Sequence, residues 1–221
     1  MDDITIIMMT ANRVPEGWAR FHRQKLEEVI GDSPIITVSY RPLDWGLNLI
    51  QTEYCYANVL KQMLRAAKIA TTKWIGMADD DTLYPPGHFQ FKGKEDGFYY
   101  NHNRWHIATW LPEFYYHKPK PGNGCMVATR EMVVEYMEKR IAINPKLDAD
   151  SQCKELGTWN HRTGFNEPNY RRFDTENPLI SLTHEFSRDR NARKHKKVIG
   201  LERVESFPYW GRSIDIIKKF A

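Results

Sequence analysis

Three short, mostly apolar runs separated by two longer segments with helical spacing occupy the first eighty residues, and this alternation constrains the fold most. Residues 4–9, 35–39 and 74–77 are typical of strands covered on both faces. Residues 18–30 and 52–70 carry apolar side chains at intervals of three and four, which predicts helices. The order strand–helix–strand–helix–strand predicts an α/β domain with a parallel sheet and right-handed crossovers.

Three consecutive carboxylates, Asp79, Asp80 and Asp81, follow the third apolar run, and residues 83–87 after them predict a turn or loop. The triplet is therefore expected at the C-terminal end of a buried strand, where open α/β sheets bind ligands. Buried carboxylates need a neutralising cation, and hard oxygen ligands suit Mg²⁺ or Mn²⁺. The pattern predicts a divalent metal that holds a diphosphate, with a solvated acidic turn as the alternative.

Composition limits the class of protein. The chain has 221 residues, of which 41% are hydrophobic, so one large domain with its own core is expected. Three cysteines, Cys55, Cys125 and Cys153, lie far apart without a CxxC pair, which argues against a disulfide framework or a zinc site and favours a reducing, cytoplasmic location. We expect no signal peptide and no membrane span, since no apolar stretch approaches about 20 residues.

The second half of the chain has a different character. Residues 88–121 are rich in aromatic side chains, which predicts short strands or long loops and, for any exposed rings, a stacking wall for a sugar or base. Gly122-Asn123-Gly124 predicts a tight turn, either an ordinary one or one that passes close to a ligand. The remaining predictions are helices over 132–141 and 147–156, a surface loop over 157–177, a strand over 178–183 ending at His184, and an amphipathic stretch after 206.

Basic residues concentrate near the C-terminus, whereas the net charge of the chain is only +4. The run comprises Arg188, Arg190, Arg193, Lys194, His195, Lys196 and Lys197. Such a run predicts either a solvated surface segment or a loop that contacts phosphate, in a diphosphate or in a nucleic-acid backbone.

Taken in order, these features resemble the GT-A glycosyltransferases, especially those similar to family 2. The matching pieces are the loop at 10–13, the end of the second strand at 38–39, the strand and DxD-type triplet at 73–81, the glycine turn at 122–131, and a late histidine. The resemblance implies a GT-A-like, Rossmann-like single domain over 1–221, with a mostly parallel sheet flanked by helices. Residues 1–87 would form the nucleotide-sugar half, and 88–221 the acceptor-side half.

The resemblance also implies roles for individual residues. Asp81 would be the direct metal ligand and His184 a second one, while Asp79 would contact ribose or the metal through water and Asp80 could serve in either capacity. The groups expected to bind the base, ribose and diphosphate of the nucleotide are Thr10, Asn12, Arg13, Ser39, Arg188 and Arg190.

An inverting transfer needs a carboxylate to take the proton of the acceptor hydroxyl, and the resemblance implies that this base lies on a helix after the glycine turn. Asp148 and Asp150 are the candidates. They depart from the Glu-Asp pair usual in the family, since Ala149 separates them. Which of the two is the base, and whether the transfer inverts, stays open.

The resemblance implies a hexosyltransferase that uses Mn²⁺ or Mg²⁺ and a UDP-sugar such as UDP-glucose, with a glycan, a protein or a modified base in DNA as acceptor. One alternative is a nucleotidyltransferase, although residues 10–17 contain one glycine only and fit a glycine-rich phosphate loop poorly. Another is a non-catalytic nucleic-acid-binding module, although three carboxylates would repel a nucleic acid in the absence of metal.

Overall fold

The computed structural model describes residues 3–53, 56–143, 155–158, 167–185, 187 and 201–220, and side chains in this set except those of 56 and 57. Its helices are α1 (Glu16–Ile30), α2 (Tyr56–Ile69), α3 (Arg130–Ile143) and α4 (Ser213–Lys218). Its strands are β1 (Ile4–Met9), β2 (Ile35–Ser39), β3 (Leu47–Ile50), β4 (Trp74–Asp79), β5 (Thr82–Leu83), β6 (Phe98–Asn101), β7 (Arg104–Ala108), β8 (Leu111–His117), β9 (Met126–Thr129), β10 (Arg171–Phe173), β11 (Leu179–Thr183), β12 (Glu202–Arg203), β13 (Ser206–Phe207) and β14 (Gly211–Arg212).

The main sheet has seven strands in the order β10-β6-β9-β4-β1-β2-β3. β1 pairs in parallel with both β2 and β4, β2 pairs in parallel with β3, and β9 alone of the seven runs antiparallel to its neighbours. Helices pack against this sheet, and side chains of β1 and β4 such as Ile6, Ile7 and Met77 are fully buried. The α/β prediction with a mostly parallel sheet is confirmed.

A second sheet, in the order β12-β8-β7-β11-β5, is built mainly from the second half of the chain. Its first strand along the chain, β5, begins shortly after β4 ends, so the chain passes from one sheet to the other through the Asp triplet. β11 lies antiparallel to β5 and parallel to β7. A separate core, which includes Trp18, Leu83, Ile107 and Phe207, covers one face of this sheet. The triplet therefore sits at the junction of the two sheets.

Two edge strands of the main sheet were not predicted. β3 exposes Leu47 and Ile50 and buries Leu49 only, so it lacks a continuous apolar run. The loop prediction over 157–177 is wrong at β10, where Arg171 and Arg172 are exposed and Phe173 is buried. Polar side chains suit edge strands, which are half solvated.

The other predicted elements agree with the structure to within a few residues. β1 and β2 have the predicted bounds, and α3 starts two residues earlier than predicted, at Arg130. The aromatic-rich segment forms short strands, β6 to β8. Most of the helix predicted over 147–156 lies outside the described residues. Among the described helices, none has the length and hydropathy to cross a membrane.

Candidate functional site

Partners from three different parts of the chain fix the backbone of the Asp triplet. Tyr84 Oη accepts a hydrogen bond from Asp79 N–H at 2.8 Å, Trp18 Nε1 donates to Asp80 O at 2.8 Å, and Leu182 N–H donates to Asp81 O at 2.8 Å. Since Trp18 lies in α1 and Leu182 in β11, the turn between the two sheets is held from both sides. A turn fixed in this way orients its three carboxylates before any ligand binds.

The loop after β1 is tied to the triplet and to the end of β2. Thr10 Oγ1 donates to the Asp80 carboxylate and accepts from Asn12 N–H at 2.8 Å. Asn12 adopts a left-handed φ of 52°, a conformation that asparagine tolerates, and its Oδ1 accepts from the backbone of Tyr40 and Arg41. The predicted nucleotide loop is therefore a rigid bridge between two strand ends.

Burial makes the triplet electrostatically unfavourable when it is fully ionised. Burial first, and then the adjacent Asp81 charge, raise the pKa of Asp80 to about 8 and that of Asp79 to about 7. Two groups oppose this for Asp79, the Arg104 guanidinium and a hydrogen bond from the Gly124 backbone, which lower its pKa. Carboxylates that stay protonated near neutral pH, facing a third carboxylate, make a site that a cation would stabilise.

The structure brings Asp81 and His184 together although about a hundred positions separate them in sequence. The antiparallel pairing of β11 with β5 carries His184 back to the triplet, and its Nε2 lies 3.6 Å from Asp81 Oδ2. Both side chains line a cavity of about 250 Å³, which also contacts Thr10, Arg13, Tyr40, Gln51, Val59, Asp79, Asp80 and Ser187.

This arrangement supplies part of a metal coordination shell. Within the described part of the chain, no three His, Cys, Asp or Glu side chains converge as a set that could hold a metal alone. A metal held by one or two carboxylates, with phosphate oxygens and water as its other ligands, is usual for Mg²⁺ bound to nucleotides, and Asp81 supplies such a carboxylate beside the His184 imidazole. The residues present therefore fit a divalent ion that arrives with a phosphorylated ligand.

The other predicted site residues are placed differently from one another. Thr10 and Arg13 line the cavity, whereas Asn12 lines a neighbouring one of about 560 Å³ between α1 and the loop after β2. Ser39 lines neither of these two cavities: it is buried, donates to Arg41 O at 2.6 Å and accepts from Asn48 Nδ2 at 2.9 Å. Four predicted residues lie outside the described residues, namely Asp148, Asp150, Arg188 and Arg190.

Sequence reasoning missed several residues that shape the site. Gly124 packs so closely on the triplet that a Cβ there would lie 2.1 Å from Asp79 Oδ2. The Gly-Asn-Gly pattern signalled a close approach, but the group approached is a carboxylate of the protein. Arg104 faces Asp79 from β7, and a Cβ on Gly122 would meet its Nη1 at 2.2 Å. Nothing in the aromatic-rich segment marks this arginine as special.

No protein-family model matches the chain, and no curated protein is similar to it. Similar solved structures include a glycosyltransferase involved in glycosylation of the major capsid of PBCV-1 (14% identity, TM-score 0.47, 80% of this chain and 92% of that one). A second is a mannosyltransferase from Pyrobaculum calidifontis in complex with GDP-Man and Mn²⁺ (13% identity, TM-score 0.49, 87% of this chain and 59% of that one). A third is the bifunctional IspDF from Campylobacter jejuni (6% identity, TM-score 0.43, 80% of this chain and 50% of that one). The first two belong to the enzyme class that the sequence resembles. All three TM-scores are below 0.5, so these similarities assign no activity to this chain.

Proposed function

We propose that this chain is a metal-dependent glycosyltransferase that uses a nucleotide-sugar donor. The observation that carries the proposal is the Asp triplet at the junction of the two sheets. Its backbone is fixed by three different parts of the chain, and Asp81 and His184 face one cavity beside the predicted nucleotide loop. The elevated pKa values of Asp79 and Asp80 support a site made for a cation.

In this proposal Asp81 and His184 hold Mn²⁺ or Mg²⁺, and Asp79 acts directly or through water. When bound, the ion would neutralise charge that develops on a nucleoside diphosphate as the sugar leaves. Thr10 and Arg13 border the same cavity, which supports a contact of both with the nucleotide. Arg188 and Arg190 as diphosphate contacts, and Asp148 or Asp150 as the base, remain predictions.

We propose a UDP-sugar such as UDP-glucose as the donor, and a glycan, a protein or a base in DNA as the acceptor. If the acceptor is DNA, binding should weaken steeply as salt rises, because contacts to phosphate release counterions. DNA binding that salt leaves unchanged would contradict that acceptor without affecting the donor site.

A nucleoside diphosphate and Mn²⁺ together are expected to raise the melting temperature of the protein by about 5–10 °C at saturating ligand, since a ligand that binds the folded state stabilises it. UDP, GDP, CDP and dTDP, and then UDP-glucose, are compared with and without Mn²⁺. The shift should require the metal and disappear in Asp81→Ala. Asp96→Ala removes an exposed carboxylate outside the cavity and should keep the shift.

The products distinguish the two enzyme hypotheses. A glycosyltransferase releases a nucleoside diphosphate from its donor, even when water is the acceptor, whereas a nucleotidyltransferase releases pyrophosphate from a nucleoside triphosphate. If no nucleotide shifts the melting temperature with Mn²⁺, the donor site is refuted and a binding module becomes the better hypothesis.

Gly124→Ala is expected to weaken binding of Mn²⁺ and nucleotide by about 10–100-fold, because the new methyl group must displace the Asp79 carboxylate and small misplacements are costly at such sites. Isothermal titration calorimetry measures the affinity, and circular dichroism checks the fold. Gly17→Ala is the matched control. Apart from its chain neighbours and the backbone of its own helix, the nearest atom to the new Cβ would be Lys219 O, at 3.9 Å. Wild-type affinity in Gly124→Ala would show that Asp79 has no part in binding.

A further inference from the structure

We propose that Arg104 is a positioning residue for the metal ligand Asp81, acting through a hydrogen-bond relay formed by Ser181 and Thr82. The inference rests on the proposed function, because it assigns a purpose to the orientation of Asp81. Arg104 lies in β7, Ser181 in β11 and Thr82 in β5, three neighbouring strands of the second sheet.

The relay consists of three successive contacts. Arg104 Nε donates to Ser181 Oγ at 3.1 Å, Ser181 Oγ lies 3.0 Å from Thr82 Oγ1, and Thr82 Oγ1 donates to Asp81 Oδ1 at 3.2 Å. The antiparallel register that pairs Ser181 with Thr82 places the two hydroxyls side by side. The hydrogen bonds therefore follow directly from the pairing of the strands.

Chemistry fixes the direction of the relay. A guanidinium only donates, and a carboxylate only accepts when ionised, so the two ends are determined. Ser181 Oγ accepts a hydrogen bond from Arg104 and donates one to Thr82 Oγ1, and Thr82 Oγ1 donates one to Asp81. Each hydroxyl uses its single proton once, and the arginine charge polarises both bonds that follow.

The relay leaves the two oxygens of the Asp81 carboxylate with different partners. Oδ1 accepts from Thr82, whereas Oδ2 faces His184 Nε2 at 3.6 Å across the cavity. A carboxylate held at one oxygen cannot rotate freely, so Oδ2 keeps its direction toward the cavity. Metal ligands held in this way by hydrogen bonds from neighbouring groups bind more tightly than free ones.

Burial makes the hydroxyls suitable for this purpose. Thr82 is 1% and Ser181 2% exposed, so water does not compete for their hydrogen bonds. On its other side, β5 is held by His22, whose Nε2 contacts Thr82 O at 3.0 Å. Burial lowers the pKa of His22 to about 4, and because a carbonyl oxygen only accepts, Nε2 of this neutral ring carries the proton.

The test measures Mn²⁺ affinity by electron paramagnetic resonance of the free ion, first with Mn²⁺ alone and then with the nucleoside diphosphate that stabilises the wild type. Thr82→Val keeps the shape of the side chain but removes the donor to Asp81, so affinity should fall about 10–100-fold. Thr82→Ser restores the hydroxyl and should recover most of it. Ser213→Ala, at a buried serine in α4, is the matched control and should bind as the wild type does.

A second variant tests whether the groups act as one relay. Ser181→Ala should weaken Mn²⁺ binding as well. The double variant with Thr82→Val should lose little more affinity for Mn²⁺ than the weaker-binding single variant, because either substitution alone already interrupts the relay. Wild-type affinity in folded Thr82→Val would overturn the relay and leave the proposed function standing. Additive losses would overturn the relay too, whereas a wild type that binds no Mn²⁺ even in the presence of a nucleoside diphosphate would overturn both the relay and the proposed function.

Discussion

Replacing Glu167 by glutamine is expected to lower the free energy of unfolding by about 3–5 kcal/mol, because the buried Arg140 guanidinium then loses the charge of its buried partner Glu167. The two side chains form a two-point ion pair, with Nη2–Oε2 at 2.6 Å and Nε–Oε1 at 3.1 Å, and neither is exposed. The amide of the substituted side chain can accept one of these hydrogen bonds but cannot compensate the charge.

The same pair connects three parts of the chain. Arg140 lies near the end of α3 and also donates to Glu155 O at 3.1 Å, while Glu167 Oε2 accepts from Gly157 N–H at 2.8 Å. Gly157 has a φ of 78°, and a Cβ there would collide with the backbone of Tyr170. Loss of the pair should therefore loosen the contacts of residues 155–158 and 167–170 with α3 as well as destabilise the fold.

Urea denaturation of Glu167→Gln, followed by circular dichroism, gives the loss of stability. The matched control is Glu138→Gln, since Glu138 pairs with Lys68 at 2.5 Å but both side chains are half exposed, and such pairs contribute about 0–1 kcal/mol. Equal small losses in the two variants would contradict a structural role for the buried pair. Arg140→Met combined with Glu167→Leu should recover part of the loss, because apolar side chains then replace both charges of the buried pair.

The part of the fold that sequence predicted is the part whose strands are buried on both faces. β1 and β2 have apolar runs that end where their strands end, so their bounds were predictable. β3 and β10 lie at the two edges of the main sheet and carry exposed side chains such as Leu47, Arg171 and Arg172. An edge strand depends on its neighbour more than on its own pattern, and a single sequence does not show which neighbour it will meet.

The candidate site divides in a similar way. The Asp triplet was predictable because it directly follows a buried strand, whereas His184 was proposed from the resemblance to GT-A glycosyltransferases, which implied a late histidine. The roles of Arg104 and Trp18 were not predictable, since the charge of Arg104 near Asp79 and the hydrogen bond from Trp18 to Asp80 arise only when the second sheet and α1 pack against the triplet. Ser39 illustrates the converse, because the resemblance implied a ligand contact for a residue whose hydroxyl holds the turn between β2 and β3.

Without metal, the protein is expected to lose stability as pH rises from about 4 to about 8, and Asp80→Asn is expected to remove much of that loss. An aspartate in the unfolded chain releases its proton near pH 3.8, whereas in the folded protein Asp79 and Asp80 release theirs at about 7 and about 8. Within this window the folded state binds more protons than the unfolded state, so stability falls as pH rises. Each unit of pKa difference is worth about 1.4 kcal/mol, so the effect is on the order of a few kcal/mol.

Melting temperatures measured in EDTA from about pH 5 to about pH 8 give the dependence on pH. Asp80→Asn keeps an oxygen that can accept from Thr10, and at the upper end of the range it should melt at a higher temperature than the wild type. Asp96→Asn, at an exposed carboxylate, should follow the wild-type curve. Mn²⁺ with a nucleoside diphosphate should narrow the gap between wild type and Asp80→Asn at high pH, because the ion then supplies the charge that the triplet lacks. Parallel curves for wild type and Asp80→Asn would mean that the triplet is not destabilised by its own charge, and the electrostatic argument for a cation at this junction would fail.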